Sequence, residues 1–159
     1  MAIVPWVVLL ALVTAAGLTI HDVGARLVAL RLVLASAAAA EGTAGITYVF
    51  RGRYMAERSG RPYAAAYHGL MQDFGFYNLA LALLFALAAL DPTRNLLVIR
   101  IGMALYAVHG GTHVLRSLGL YYGGEARVPS RAAALEVRDA LQLLVALTGM
   151  ALFLGAATR

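Results

Sequence analysis

The sequence predicts an all-α integral membrane protein, a single helical bundle over residues 1–159, from three observations. Hydrophobic residues make up 62% of the chain, charged residues only 13%, and the mean hydropathy is +0.77. Soluble domains are nearer half apolar and a quarter charged. The apolar residues are gathered into five runs that approach or reach the length needed to cross a bilayer, separated by turn-forming and charged residues. Five transmembrane helices are therefore expected, in contact with lipid.

The first two runs are separated by the turn His-Asp-Val-Gly. Residues 3–20 carry no charge and lack the basic segment that precedes the apolar part of a signal peptide, so we expect a retained helix. The second run, residues 25–50, is interrupted by Arg31 and Glu41 and is followed by the polar stretch RGRYMAERSGRP. A bundle of four spans, with span 1 and its turn outside the core, is the alternative.

The remaining three runs cover residues 63–90, 95–118 and 131–157. The third ends at Asp91-Pro92, because the residue before a proline is disfavoured in a helix. The loop YYGGEARVPS connects the fourth run to the fifth. At about 1.5 Å per residue, each run is long enough to cross a hydrocarbon core of roughly 30 Å.

The charged residues predict the orientation of the chain and exclude several chemistries. All 13 basic residues are arginine, and with five spans the two arginine-rich loops fall on one side. The positive-inside rule then predicts a cytoplasmic N-terminus and an external C-terminus. The net charge of +5 reports this topology and not nucleic-acid binding. The absence of cysteine and lysine excludes disulfides, iron–sulfur clusters, thiolate ligands and a lysine Schiff base.

Polar residues of three spans are predicted to lie at a common depth. Glu41, Asp73 and His109 each lie nine or ten residues from the predicted cytoplasmic end of their span, which corresponds to about 14 Å. His68 and His113 lie nearer the same surface. Ionisable residues inside a span are costly and by default mark a function or a paired contact. We therefore expect an intramembrane layer of histidines and carboxylates.

The spacing of His109 and His113 places both imidazoles on one face of a helix, as in many metal sites. Imidazole and carboxylate ligands suit iron, manganese, zinc or copper(II). The first hypothesis is a transition-metal or haem b site for redox chemistry, with His68, His109 and His113 as cofactor ligands and Glu41 and Asp73 as further metal ligands. A haem b would use two axial histidines, His68 with His109 or His113. The Glu-x-x-His pairs of di-iron bundles are absent from the sequence.

Two neighbouring features have competing interpretations. Gly110 and Gly111, between the two histidines, would either admit a neighbouring helix or a flat ligand, or serve as packing notches. Glu136, Arg138 and Asp139 lie in the first turns of span 5, where acidic groups suit a helix N-terminus. A structural role is favoured for these three residues.

The stretch QDFGFYNLALALLFALAALDP, followed by AVHGGTHVLRSLG, resembles a pattern in small bacterial DoxX-like multi-pass membrane proteins, which are mostly uncharacterised. The pattern combines an Asp-x-Gly opening, an Asn-Leu-Ala-Leu-Ala span and a span ending in His-x-x-x-His. It falls here on Asp73, Gly75, Asn78, His109 and His113. The resemblance covers about a third of the chain. It implies a helical bundle in the bacterial inner membrane and supplies no activity.

Two other classes of function fit the sequence. The small size and the alanine–glycine faces are typical of a non-catalytic accessory subunit, packed against other membrane-protein subunits or in a homo-oligomer. A proton-coupled or small-solute carrier, with Glu41 and Asp73 titrating, ranks last because no inverted repeat is visible. No soluble-enzyme motif is present, so no catalytic residue is predicted.

Overall fold

The computed structural model describes residues 3–58, 68–119 and 130–158, which form five α-helices and no strand. The helices are α1 (Val4–Thr19), α2 (Val23–Arg58), α3 (His68–Leu90), α4 (Leu96–Ser117) and α5 (Ser130–Leu154). The prediction of an all-α fold with five helical elements is confirmed. The first residues of the predicted third span, 63–67, lie outside the described residues.

Helix α2 is longer than predicted because it continues beyond residue 50 across a kink. Arg51 has non-helical backbone angles, with φ −136° and ψ 38°, and helix resumes after it to Arg58. An ion pair between Arg53 Nε and Glu57 Oε1, at 2.8 Å, spans one turn of this extension. Such pairs four residues apart stabilise a helix, which explains how a polar stretch stays helical.

Three of the described helices are long and apolar enough to cross a membrane: Val23–Met55, His68–Leu90 and Ala134–Leu154. Helix α1 is apolar but shorter, with 16 residues. Helix α4 has 22 residues but carries two arginines and two histidines. These candidate spans indicate a membrane protein.

The helices form a closed ring with α1 on its outside. Helix α2 packs against α3, α3 against α4, α4 against α5, and α5 against α2, while α1 packs mainly on α5. A side chain at Gly17 would collide with Leu152, and Val13 lies beside Gly149 in the same α1–α5 contact. The uncharged first helix is therefore peripheral.

The apolar core lies at one end of the ring. Its largest fully buried side chains from the four ring helices are Leu30, Leu34, Phe85, Ile99 and Met150. At the opposite end, which we call the polar end, α2 and α4 finish and α3 and α5 begin. Among the side chains that the structure describes at the polar end, none is buried in α4 after Tyr106 or in α5 before Gly149. The α4 and α5 segments at the polar end are thus less enclosed than the core.

Glycines set the closest helix approach, between α2 and α3. A Cβ atom on Gly45 would lie 2.8 Å from the carbonyl oxygen of Gly75, and one on Gly75 would lie 2.5 Å from Val49 Cγ2. Glycine on both helices allows this backbone contact, as in membrane helix pairs. The α2–α3 pair is consequently close even at the polar end.

Candidate functional site

The five predicted ligands are found in three different places. His109 and His113 are together on α4, Glu41 is buried in the ring, and His68 and Asp73 are exposed on α3. In the described parts of the chain, no group of three His, Cys, Asp or Glu side chains is arranged to hold one metal ion. Two of the five residues are therefore brought together, and the full ligand set remains a prediction.

The two histidines of α4 stack on one another. Their ring centroids are 4.7 Å apart and the ring planes differ by 22°. This arrangement follows from the four-residue spacing, which places successive side chains on one helix face. Both imidazoles are thus presented side by side from a rigid helix.

Glu136 of α5 orients one ring of this pair. Its Oε2 lies 2.5 Å from Nδ1 of His113, and the two side chains are only 12% and 13% exposed. When Nδ1 carries the proton and donates to the carboxylate, Nε2 is left with a free lone pair. A carboxylate in this position is the usual partner of a metal-binding histidine.

Other charged groups of α4 and α5 surround the histidines. Arg116 and Asp139 are electrostatic neighbours of His109, together with His113 and Glu136. Asp139 also accepts a hydrogen bond from Nε of Arg138 at 2.8 Å. Charges of both signs are therefore grouped where the helices α4 and α5 face each other.

Glu41 belongs to a separate group. Its side chain is 8% exposed, and its carboxyl interacts with the phenol of Tyr106 of α4. Tyr77 of α3 is an electrostatic neighbour of both. The groups that face this carboxyl are therefore phenols, and they do not include the histidine pair.

The glycines between the histidines are not close-contact positions. A Cβ on Gly110 would lie at an ordinary 3.7 Å from Leu143, and one on Gly111 would meet nothing within 4 Å. Close contacts occur instead at Gly17, Gly45, Gly75, Gly102 and Gly149. Gly111 thus faces open space beside the histidines.

Two partners were not predicted as site residues from the sequence. Glu136 was assigned only a structural role, yet it contacts His113; both lie at the polar end of antiparallel neighbours, which is the signal that could have paired them. Tyr106 lies three residues before His109 on the same face of α4, but it was not linked to Glu41 from the sequence. A tyrosine at a depth similar to that of a carboxyl in a predicted span is the signal that could have linked Tyr106 to Glu41.

Comparison of the chain with protein families, with curated proteins and with solved structures gives no match. The resemblance to DoxX-like proteins therefore stays a prediction.

Proposed function

We propose that the protein is a multi-pass protein of the bacterial inner membrane that binds a divalent transition-metal ion through His109 and His113. All five helices cross the bilayer in this proposal, with the N-terminus in the cytoplasm and the polar end at the cytoplasmic side. The observation that carries it is the stacked histidine pair with Glu136 on Nδ1 of His113.

The donor chemistry supports a transition metal. Two imidazoles and a nearby carboxylate suit zinc, copper(II), iron or manganese. Glu136 fixes the ring of His113 and increases the basicity of its Nε2, which strengthens a metal–nitrogen bond. Further ligands would be water or carboxylate oxygens, and Asp139 of α5, an electrostatic neighbour of His109, is one candidate. The histidines on one rigid helix keep the two nitrogen donors together.

The test is metal analysis of protein purified in mild detergent without a polyhistidine tag, followed by titration of chelator-treated protein with Zn²⁺ and Cu²⁺. We expect near-stoichiometric metal that is lost in His109→Ala and His113→Ala. His21→Ala is the matched control, because His21 is exposed in the turn between α1 and α2. Glu136→Gln should weaken binding by roughly 10- to 100-fold. Metal binding that is equal in all four variants would contradict the proposal.

An absorption spectrum of the same preparation separates a metal from haem b. Haem ligation needs axial ligands on opposite faces of the macrocycle, whereas His109 and His113 are neighbours on one helix face. A haem would therefore pair one of them with His68. A Soret band that disappears in His68→Ala would replace the metal proposal with the haem hypothesis.

Asp73 favours a second candidate function, that of an accessory subunit. It lies five residues after the first described residue of α3, or about 7.5 Å along the helix, and its side chain is exposed. Among the described residues it makes no ion pair. Because a lone carboxylate facing lipid is costly, we propose that a basic side chain of another membrane protein covers it.

A photoactivatable cross-linker at position 73 tests this candidate in native membranes. We expect one cross-linked membrane protein from position 73 and none from position 12, where Leu12 is an exposed apolar residue of the peripheral helix. Products that are absent from both positions, or the same from both, would exclude a specific subunit contact at Asp73.

A further inference from the structure

The ring of helices contains a buried acid that the histidine pair does not use. Glu41 of α2 and Asn78 of α3 are the buried polar side chains among the described residues. Tyr106 of α4, 3% exposed, joins Glu41 from the third helix. Three ring helices thus direct polar groups into an otherwise apolar core, at the level where the packed core ends.

No cation neutralises Glu41 within the described residues. The described arginine and histidine side chains form no ion pair with it, and the group that faces it from α4 is the neutral phenol of Tyr106. An isolated carboxylate in an apolar interior is so unfavourable that the group takes up a proton instead. Because Glu41 is buried and its neighbour is neutral, the uncharged carboxyl fits this site.

A second phenol lies beside the buried acid. Tyr77 interacts electrostatically with both Glu41 and Tyr106, and its side chain is 45% exposed. A tyrosine hydroxyl is a neutral donor and acceptor. The side chains that face Glu41 from α3 and α4 are therefore two uncharged phenols.

We propose that Glu41 and Tyr106 form an intramembrane proton-binding site, in which the Glu41 carboxyl takes up and releases one proton. The groups that face Glu41 are Tyr106 from α4 and Tyr77 from α3. Asn78 is buried on the same helix as Tyr77. This site is independent of the proposed metal site, and either can be absent without the other.

A hydrophobic carbodiimide tests the proposal, because it reacts with protonated carboxyls in apolar surroundings. The acid O–H adds across one C=N bond to give an O-acylisourea, and acyl transfer to nitrogen gives a stable N-acylurea. No atom leaves and no oxidant is needed. We expect one adduct at Glu41 in the folded wild-type protein at pH 7, located by peptide mapping after cleavage at arginine.

Other carboxyls act as internal controls in the same sample. Glu57 is exposed and ion-paired with Arg53, so it should stay unlabelled. Asp73 is scored separately, since arginines at 51, 53 and 58 put it on a different peptide from Glu41. The labelled fraction of Glu41 should fall about tenfold per pH unit above its midpoint, as release of a single proton requires.

A folded wild-type protein without a Glu41 adduct at pH 7 would overturn the proposal, and so would labelling that does not change with pH. Infrared spectroscopy provides the second measurement. The C=O stretch of a protonated carboxylic acid should disappear in Glu41→Gln and shift in Tyr106→Phe, which loses only the phenol hydroxyl. If Glu41→Gln fails to fold, the wild-type labelling at the mapped residue still decides.

Discussion

The α2–α3 pair and the α4–α5 pair are both antiparallel and both contain glycine, yet their contacts differ. Gly45 and Gly75 bring α2 and α3 into backbone contact. Gly110 of α4 faces α5 at ordinary contact distance, and the polar contact of His113 with Glu136 joins that pair. A glycine on each of the two facing helices brings the backbones of α2 and α3 together, whereas the wider spacing of α4 and α5 leaves room for histidine and carboxylate side chains.

The largest effect is expected from Phe85→Ala, which removes the side chain linking the two pairs. Phe85 of α3 is fully buried, lies against Gly102, and its ring is 5.2 Å from that of Tyr106 in an edge-on arrangement. Loss of a buried phenylalanine costs about 3–5 kcal/mol. The free energy of unfolding in detergent measures it.

The control for this prediction is Phe76→Ala on the same helix, where the side chain is 60% exposed. An exposed substitution should change the free energy of unfolding by less than about 0.5 kcal/mol. Equal losses in the two variants would mean that Phe85 does not hold the pairs together.

The next largest effect is expected from Gly75→Ala, which breaks the α2–α3 approach. Its new methyl group would lie 2.5 Å from Val49 Cγ2 and 2.9 Å from the carbonyl oxygen of Gly45. Overpacking of this kind costs about 1–3 kcal/mol. Thermal unfolding in detergent should show a lower midpoint for this variant.

Gly111→Ala in the other pair is the matched control. Because nothing lies within 4 Å of its new methyl group, the higher helix propensity of alanine should leave stability unchanged or raise it by up to about 1 kcal/mol. If Gly111→Ala is as destabilising as Gly75→Ala, the comparison between the two pairs is wrong.

A smaller effect is expected for the polar contact of the α4–α5 pair. A double-mutant cycle with His113→Ala, Glu136→Ala and the combined variant, in metal-free detergent solution, isolates their coupling. Polar contacts between membrane helices average about 0.6 kcal/mol. A coupling energy of zero would indicate that the contact seen between Nδ1 and Oε2 contributes nothing to folding.

The smallest effect concerns pH and the turn between α3 and α4. Hydrogen bonds from the Thr93 hydroxyl and the Arg94 amide hold the pKa of Asp91 below its usual 3.8. Because the folded state favours the carboxylate, the stabilisation is present above pH 3.8 and is lost as pH falls through the lowered pKa. The unfolding midpoint of wild type should fall more between pH 5 and pH 2 than that of Asp91→Ala. Identical pH profiles would contradict this role.

The positions of the helices could be predicted because they depend on local information. Apolar length, the Asp91-Pro92 break and the turn after residue 20 define most helix ends within a few residues. The extension of α2 to Arg58 could not be predicted from hydropathy, since it is a polar segment beyond a kink at Arg51. The ion pair between Arg53 and Glu57 in this segment forms only when the segment is already helical, so hydropathy does not reveal it.

The sequence predicts a depth for each polar residue but not its partner. Counting residues predicts similar heights for Glu41 and His109, and Tyr106, three residues before His109, is buried in the ring. Height does not fix which neighbour a side chain meets. Glu41 of α2 faces Tyr106, whereas His113 contacts Glu136 of α5. The partners differ because α4 has different neighbours at Tyr106 and nearer the polar end. Those pairings follow from helix packing, which the sequence pattern leaves open.

The packing of α1 on α5 has a consequence for the order in which the bundle assembles. Val13 and Gly17 face Gly149 and Leu152, so α1 and α5 run parallel and contact each other. In vectorial synthesis on the ribosome, α2, α3 and α4 are made before α5, the helix on which α1 packs. Helix α1 is therefore made three helices before its main contact, and its lack of charged residues would suit the proposed membrane location during that interval.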